Sequence, residues 1–316
     1  MGLEIQNLHK TFGKTRALDG MTFTPRDGEL YGFVGSNGAG KTTTMRIILG
    51  VLNADSGTVT QDGKPITSTM KFGYMPEERG LYPKMPVGQQ LVYLARLHGL
   101  SRTDAKAAME YWTDRLGVAG RRADQVQALS LGNQQRVQLA AALIHNPQVM
   151  ILDEPFSGLD PLAVTAMSEV LKEKVAEGAT VVFSSHQLDL VERLCDRVGI
   201  CSLGKIVSEG SIADLRHSHT GVIEITGPDL PTLATELGNA GYRVEMNEDT
   251  VLVNLPEGAD DQEILRAALR IGPVHSFTPH YPHLTELFQD VVQQPVPEPE
   301  SPAPKRGLSQ LFSRKK

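Results

Sequence analysis

The sequence predicts an α/β core with a helical insertion, followed by a small α+β domain. Three observations carry this reading. Residues 30–34, 149–152 and 180–184 are short, unbroken apolar runs, the pattern of strands buried on both faces of a parallel sheet. Residues 35–43, Gly-Ser-Asn-Gly-Ala-Gly-Lys-Thr-Thr, form a glycine-rich loop between one such strand and a helical pattern. Residues 221–278 then follow the order strand, helix, strand, strand, helix, strand, the split-βαβ arrangement.

Taken in order, residues 3–8 alternate apolar and polar, as a half-buried strand does. Residues 21–24 alternate as well and run into the Asp27-Gly28 turn. The run 30–34 feeds Gly35, and residues 43–49 are helical in pattern. The stretch 87–116 and the one after Ser130 are helical too, so up to about residue 215 the chain forms one core with a helical insertion. Beyond it come a strand at 221–226, a helix at 230–240 and a hairpin of 242–246 with 250–255. A helix at 261–270, a strand at 274–278 and a last helix at 283–292 complete the second domain. From Gln293 the chain is a tail in which Pro295, Pro297, Pro299, Pro302 and Pro304 oppose a packed core. Lys305, Arg306, Arg314, Lys315 and Lys316 bracket Leu308, Leu311 and Phe312. That pattern suits a solubilising disordered end or a basic amphipathic segment on anionic lipid.

Composition narrows the class. The 316 residues are 40% hydrophobic and 22% charged, as in globular domains. A formal charge of −6 argues against a nucleic-acid-binding surface. Cys195 and Cys201, without metal spacing, read as two reduced thiols. No apolar run approaches the roughly 20 residues of a membrane span, and the N-terminus lacks the apolar core of a signal peptide. If the protein moves something across a membrane, another chain supplies the path.

The chemistry concentrates at the glycine-rich loop. Gly35, Ser36, Asn37, Gly38, Ala39, Gly40, Lys41 and Thr42 fit the phosphate-binding pattern G-x-x-x-x-G-K-[ST], with Thr43 next. Glycines let backbone N–H groups wrap phosphate oxygens, and the following helix adds its positive end. Lys41 is expected on the β- and γ-phosphates and the Thr42 hydroxyl on Mg²⁺. Asp153 ends an apolar strand, a position suited to Mg²⁺ coordination, usually through water. Glu154 follows, placed as a general base for an attacking water. An ordinary solvated acidic pair is the alternative.

Together with Ser130-Leu131-Gly132-Asn133-Gln134, Ser157-Gly158-Leu159-Asp160 and Ser184-Ser185-His186, the chain resembles the ATP-binding subunits of ABC transporters over residues 3 to about 215. The resemblance implies a P-loop NTPase core of the ABC ATPase type. That core has an antiparallel β subdomain and a helical subdomain (about 80–145) within residues 1–216. Residues 217–292 then form a ferredoxin-like α+β domain and 293–316 the tail. It implies ATP and Mg²⁺ as ligands, with Phe12 stacking on adenine, Glu77 at the Q-loop and His186 sensing the γ-phosphate. Ser130, Gly132 and Asn133 would form the signature that meets ATP on a partner copy, and Asp160 would link the two sites. A homodimer, separate integral-membrane permease subunits and a peripheral place on the cytoplasmic face of the cell membrane follow from the same resemblance. Three positions depart from the pattern. Leu131 and Asn133 replace the usual glycine and glutamine of the signature, and Glu77 replaces a glutamine. Residues 76–82 and 185–196 resemble the sodium- and drug-efflux-type exporters, many of which carry a small C-terminal domain.

Other residues carry weaker signals. His275, His280 and His283, or His217 and His219, form a metal site or, with Pro279 and Pro282, merely a turn. Tyr111 and Trp112 are expected in the core of the helical insertion, and Tyr82, Met85 and Val87 either touch the permease or pack inside. The rival readings are a non-transport ABC ATPase, an ATP-binding regulatory module with negligible turnover, and an unrelated P-loop kinase.

Overall fold

The computed structural model describes residues 2–66, 71–78, 80–217, 221–256 and 259–293. The expected tail beyond residue 293 and His219 lie outside the described residues.

β1 (Leu3–Phe12) and β2 (Thr15–Phe23) pair as a hairpin, so the alternation at 21–24 is the end of a longer strand. β3 (Leu30–Gly35) is buried at every position and leads through the glycine-rich loop into α1 (Lys41–Ile48). β4 (Ser56–Gln61) adds to β1 and β5 (Lys64–Pro65) to β4, giving an antiparallel sheet ordered β2-β1-β4-β5. β6 (Phe72–Met75) is followed by α2 (Val87–Leu97), α3 (Arg102–Arg115) and α4 (Leu131–Leu143). The stretch 87–116 is thus two helices rather than one. Gly99 turns left-handed at φ +89°, and Ser101 caps α3 by accepting the Asp104 N–H at 3.1 Å.

β7 (Val149–Leu152), α5 (Pro161–Ala176), β8 (Thr180–Ser185), α6 (Leu188–Leu194), β9 (Arg197–Ser202), β10 (Lys205–Ser211) and α7 (Ile212–His217) follow. The central sheet is ordered β10-β9-β3-β8-β7-β6 and is parallel except for β10. Leu3, Ile5, Phe23 and Phe33 join α1 in a core between the two sheets. A second core, with Leu91, Trp112, Leu139 and Phe183, lies between the central sheet and the helices. Because β3, β8 and β7 are neighbours, the three loops leaving their C-terminal ends meet at one edge, where open α/β sheets bind ligands.

In the second domain β11 (Val222–Thr226), α8 (Leu230–Asn239), β12 (Arg243–Met246), β13 (Val251–Asn254), α9 (Asp261–Ile271) and β14 (Ser276–Pro279) match the expected order. The sheet is antiparallel, β12-β13-β11-β14, with Ile223, Ile225, Val251 and Val253 packed under Leu233, Leu237 and Ile264. The sequence pattern attached α10 (Leu284–Gln293) to this domain only by position. The fold seats it on the ATPase side. Leu284 and Leu287 enter the core of α6 and the central sheet, and the Leu284 N–H donates to Glu192 at 3.0 Å. Burying two leucines there supplies a few kcal/mol of attraction, on the order of 1.5–3 kcal/mol each.

The structure decides several weaker expectations. Trp112 is buried under the Lys174 ammonium, 5.3 Å from the ring, whereas Tyr111 is exposed at its edge. Val87 is fully buried, so it packs inside and offers no outer contact. Tyr82 stays 57% exposed, edge-on to Tyr93 at 6.4 Å, and Met85 is half-buried. His280 pairs with Glu224 at 3.0 Å and Glu286 at 3.2 Å, and His283 with Glu192 at 3.4 Å. These are side-chain contacts within the fold, and no metal-binding cluster exists among the described residues. Burial pushes the Cys201 thiol up to about 12 and Cys195 well above its ordinary value, in keeping with two free, unreactive thiols.

The titration of His145 bears on stability. His145 is buried against His98, the rings stacked at 3.7 Å, and its Nε2 donates to the Phe72 carbonyl at 3.0 Å while Nδ1 has no partner. Burial, with the His98 and Lys71 charges, lowers its pKa from 6.5 to about 4. The unfolded chain therefore binds this proton at higher pH than the folded one. The stability is fully present above pH 6.5 and is lost as pH falls towards 4. Urea unfolding at pH 5 against pH 7.5 is expected to lose about 1–2 kcal/mol from this group, a loss that His145→Gln removes.

Candidate ATP site

The glycine-rich loop is shaped by its neighbours. Gly40 has φ +101°, and a methyl group there would lie 2.6 Å from Leu18 Cδ2 and 2.8 Å from the Ala17 carbonyl, so no other residue fits. The Ala39 N–H donates to the Ser36 carbonyl at 3.1 Å, closing the turn. α1 starts without a side-chain cap and without an acidic residue in its first turn, so its N-terminal N–H groups are left for an anion. The Lys41 ammonium, mostly buried, donates to the Gly35 carbonyl at 2.7 Å and the Ser36 carbonyl at 3.3 Å.

An open cleft of about 470 Å³ lies over this loop. The structure brings Phe12, Asn37, Gly38, Gly40, Lys41, Thr42, Thr43, Glu77, Asp153 and Glu154 to its walls. Phe12 is half exposed at the tip of the β1–β2 hairpin, with Lys10 over its ring at 5.6 Å, a flat apolar wall suited to a purine. Thr15, Arg16 and Ala17, on the facing strand, complete that wall and carry no motif that sequence reasoning would have picked out.

Asp153 is almost fully buried. Its Oδ1 accepts the Ser184 hydroxyl at 2.6 Å, and its Oδ2 is buried with no hydrogen-bond partner. An orphaned buried carboxylate oxygen on a cleft that Thr42 and Glu77 also line is an all-oxygen set of the kind that takes Mg²⁺. Glu154 is held in the left-handed region at φ +49°, an uncommon state for a residue with a side chain. Its N–H donates to Ser184 Oγ at 2.9 Å, and its Oε2 lies 2.9 Å from His186 Nδ1. Ser184 therefore aligns both acidic residues from the neighbouring strand, a role the motif alone did not disclose. A carboxylate oriented by an imidazole at the mouth of a phosphate cleft can take a proton from water. Gln138 was also missed. Its Nε2 donates to the Pro76 carbonyl at 3.3 Å and the Glu78 carbonyl at 3.5 Å, bracketing Glu77.

Ser130, Gly132, Asn133 and Asp160 lie outside this cleft. Ser130 is the N-cap of α4, accepting from the Asn133 N–H at 3.5 Å, and no acidic residue occupies that first turn. Asp160 caps α5, accepting the Ala163 N–H at 2.8 Å, with Pro161 next to it.

Comparison with known proteins agrees with this geometry. A family model described as ABC transporter matches residues 18–157, and one described as the C-terminal domain of ATP-binding protein DrrA1-3-like matches residues 210–292. An uncharacterized ABC transporter ATP-binding protein of Bacillus subtilis, YhaQ, is 37% identical over 92% of this chain and 98% of its own length. The Nod factor export ATP-binding protein I of Burkholderia lata is 35% identical over 85% of this chain and 89% of its own. The solved structure of an ATP-binding subunit of an ABC transporter superposes with a TM-score of 0.65 at 30% identity, covering 69% of this chain and 93% of that one. With its phosphate loop, its acidic strand end and its C-terminal domain all matched along the chain, this protein belongs to the ATP-hydrolysing ABC transporter ATP-binding proteins.

Proposed function

We propose that the chain is the ATP-hydrolysing subunit of an exporter. It works as a homodimer, peripheral to the cytoplasmic face of the cell membrane, and drives separate integral-membrane permease subunits. The observation that carries the dimer is the division of the site: Ser130, Gly132 and Asn133 start a helix that lies outside the cleft over its own phosphate loop and has no acidic residue in its first turn. A second copy related by a twofold axis would turn that helix towards the first copy's ATP, so that two helix N-termini hold one polyphosphate.

In this reading Phe12 stacks on adenine, while residues 35–43 wrap the phosphates and Lys41 leaves its carbonyls for the β- and γ-oxygens. Thr42, Asp153 (through water) and Glu77 hold Mg²⁺, which when bound neutralises charge on the phosphates. Glu77 brings a charge where the family has a neutral amide, adding repulsion near the γ-phosphate. Glu154 accepts the proton of the attacking water, and His186 orients it and senses the γ-phosphate. Asp160, at the head of α5, links the two sites. ATP favours the closed dimer and hydrolysis the open one, so the permease is moved by the difference in affinity between two states. Tyr82 and Tyr93, exposed beside Glu77's loop, are the surface offered to the permease. Outward transport rests on the 76–82 segment and on relatives named for export.

The test is affinity capture of the Glu154→Gln protein from detergent-solubilised native membranes with ATP present. A co-purifying chain with about six apolar spans is expected. A capture holding only soluble proteins would favour a non-transport ATPase.

A further inference from the structure

Leu131 stands where glycine would serve an anion-binding helix N-terminus equally well, yet the structure gives its side chain a partner. α4 begins at Leu131, and a methyl group at Gly158 would lie 2.7 Å from Leu131 Cδ2. In return a methyl group at Gly132 would lie 3.5 Å from Leu159 Cδ2. The two segments interlock, a leucine of each lying over a glycine of the other. Gly158 is itself left-handed at φ +71°, so its lack of a side chain serves both the turn and the contact.

That turn carries the hydrolytic carboxylate. The Ser157 N–H donates to the Glu154 carbonyl at 3.2 Å, and the Leu159 N–H to the Phe156 carbonyl at 3.3 Å. Phe156 anchors the inner side, edge-on to Phe183 at 5.5 Å. Leu131, 48% exposed, covers the outer side. A non-glycine residue at positive φ, as Glu154 is, persists only where its surroundings hold it. We propose that Leu131 is a positioning residue, whose side chain braces the 154–158 turn and so ties the face offered to one nucleotide to the carboxylate that acts on the other. This rests on the dimer reading above for the second nucleotide, but the brace itself lies within one chain.

The experiment uses the full chain with Mg-ATP: steady-state kinetics, and binding of a fluorescent ATP analogue, for Leu131→Gly, Leu131→Met, Gly158→Ala and the Leu131→Gly/Gly158→Ala pair. Leu131→Gly is expected to keep analogue affinity and KM within about twofold while kcat falls about tenfold, since the phosphate loop is untouched and only the turn is loosened. Leu131→Met, of similar volume, restores most of kcat. Gly158→Ala should cost less in the Leu131→Gly background than alone, because the space it needs has been vacated. An unchanged kcat in Leu131→Gly, a rise in KM with kcat kept, or strictly additive losses in the pair would each overturn the brace. No turnover by the unaltered protein would instead remove the ATPase reading beneath it.

Discussion

Glu154→Gln is expected to bind ATP as well as the parent while steady-state hydrolysis falls by about 10²–10⁴-fold, the usual worth of a placed general base. The substitution is nearly isosteric. The backbone bond from the residue 154 N–H to Ser184 Oγ does not involve the side chain, so the left-handed turn keeps its inner anchor. What is lost is an oxygen able to take a proton from water beside His186, now 2.9 Å away. Binding groups in the loop and at Phe12 are untouched, so ATP should accumulate unhydrolysed and hold the closed dimer. Size-exclusion chromatography with and without ATP, alongside a phosphate-release assay, reads both effects. Retained turnover would remove Glu154 as the base and return attention to Asp153 or His186.

Lys41→Ala is expected to abolish productive nucleotide binding, raising Kd by two to three orders of magnitude, or about 3–4 kcal/mol. The ammonium sits almost buried on the Gly35 and Ser36 carbonyls, already at the throat of the cleft. An arriving polyphosphate exchanges two neutral acceptors for anionic oxygens, a stronger partner in a site poor in water. Among the described residues no other lysine or arginine lines the cleft except Arg16, which is engaged with Asp19 at 2.9 Å. Calorimetric titration with a non-hydrolysable analogue measures the loss, and an unchanged thermal melt would show that α1 still packs through Met45, Ile47 and Ile48. A Kd within a few-fold of the parent would mean that backbone N–H groups alone carry the phosphates.

The two variants separate binding from chemistry because the groups come from different strands. Residues 35–43 were legible as one continuous motif, since a phosphate cradle is built from successive N–H groups and needs local sequence only. The acidic pair was legible as an apolar run that ends in charge. Ser184 was not assigned its role beforehand, because its bonds to residues 153 and 154 span some thirty positions and depend on β7 lying beside β8. Gln138 was missed for the same reason, its partners lying about sixty positions away. The sequence leaves Val87 open between an outer contact and the core because the start of α2 looks alike whichever way it faces, and packing buries it.

The second domain divides the same way. Its strand and helix order followed from periodicities of two and 3.6, which are local, and the antiparallel order β12-β13-β11-β14 is the one that order favours. The seat of α10 was not local. Leu284 and Leu287 would make an apolar stripe against any core, and only the docking of that stripe on α6, with Glu192 holding the Leu284 N–H, selected the ATPase side. By itself the sequence determined the reaction class, the residues of the phosphate cradle and the order of elements in the second domain, because each is written in neighbouring residues. The tertiary structure alone decided which oxygen of Asp153 is left for a cation, how Glu154 is held, that Leu131 leans on Gly158, and that signature and cradle stand apart in one chain. Those are contacts between residues distant along the chain, and their energies depend on packing that no local pattern encodes.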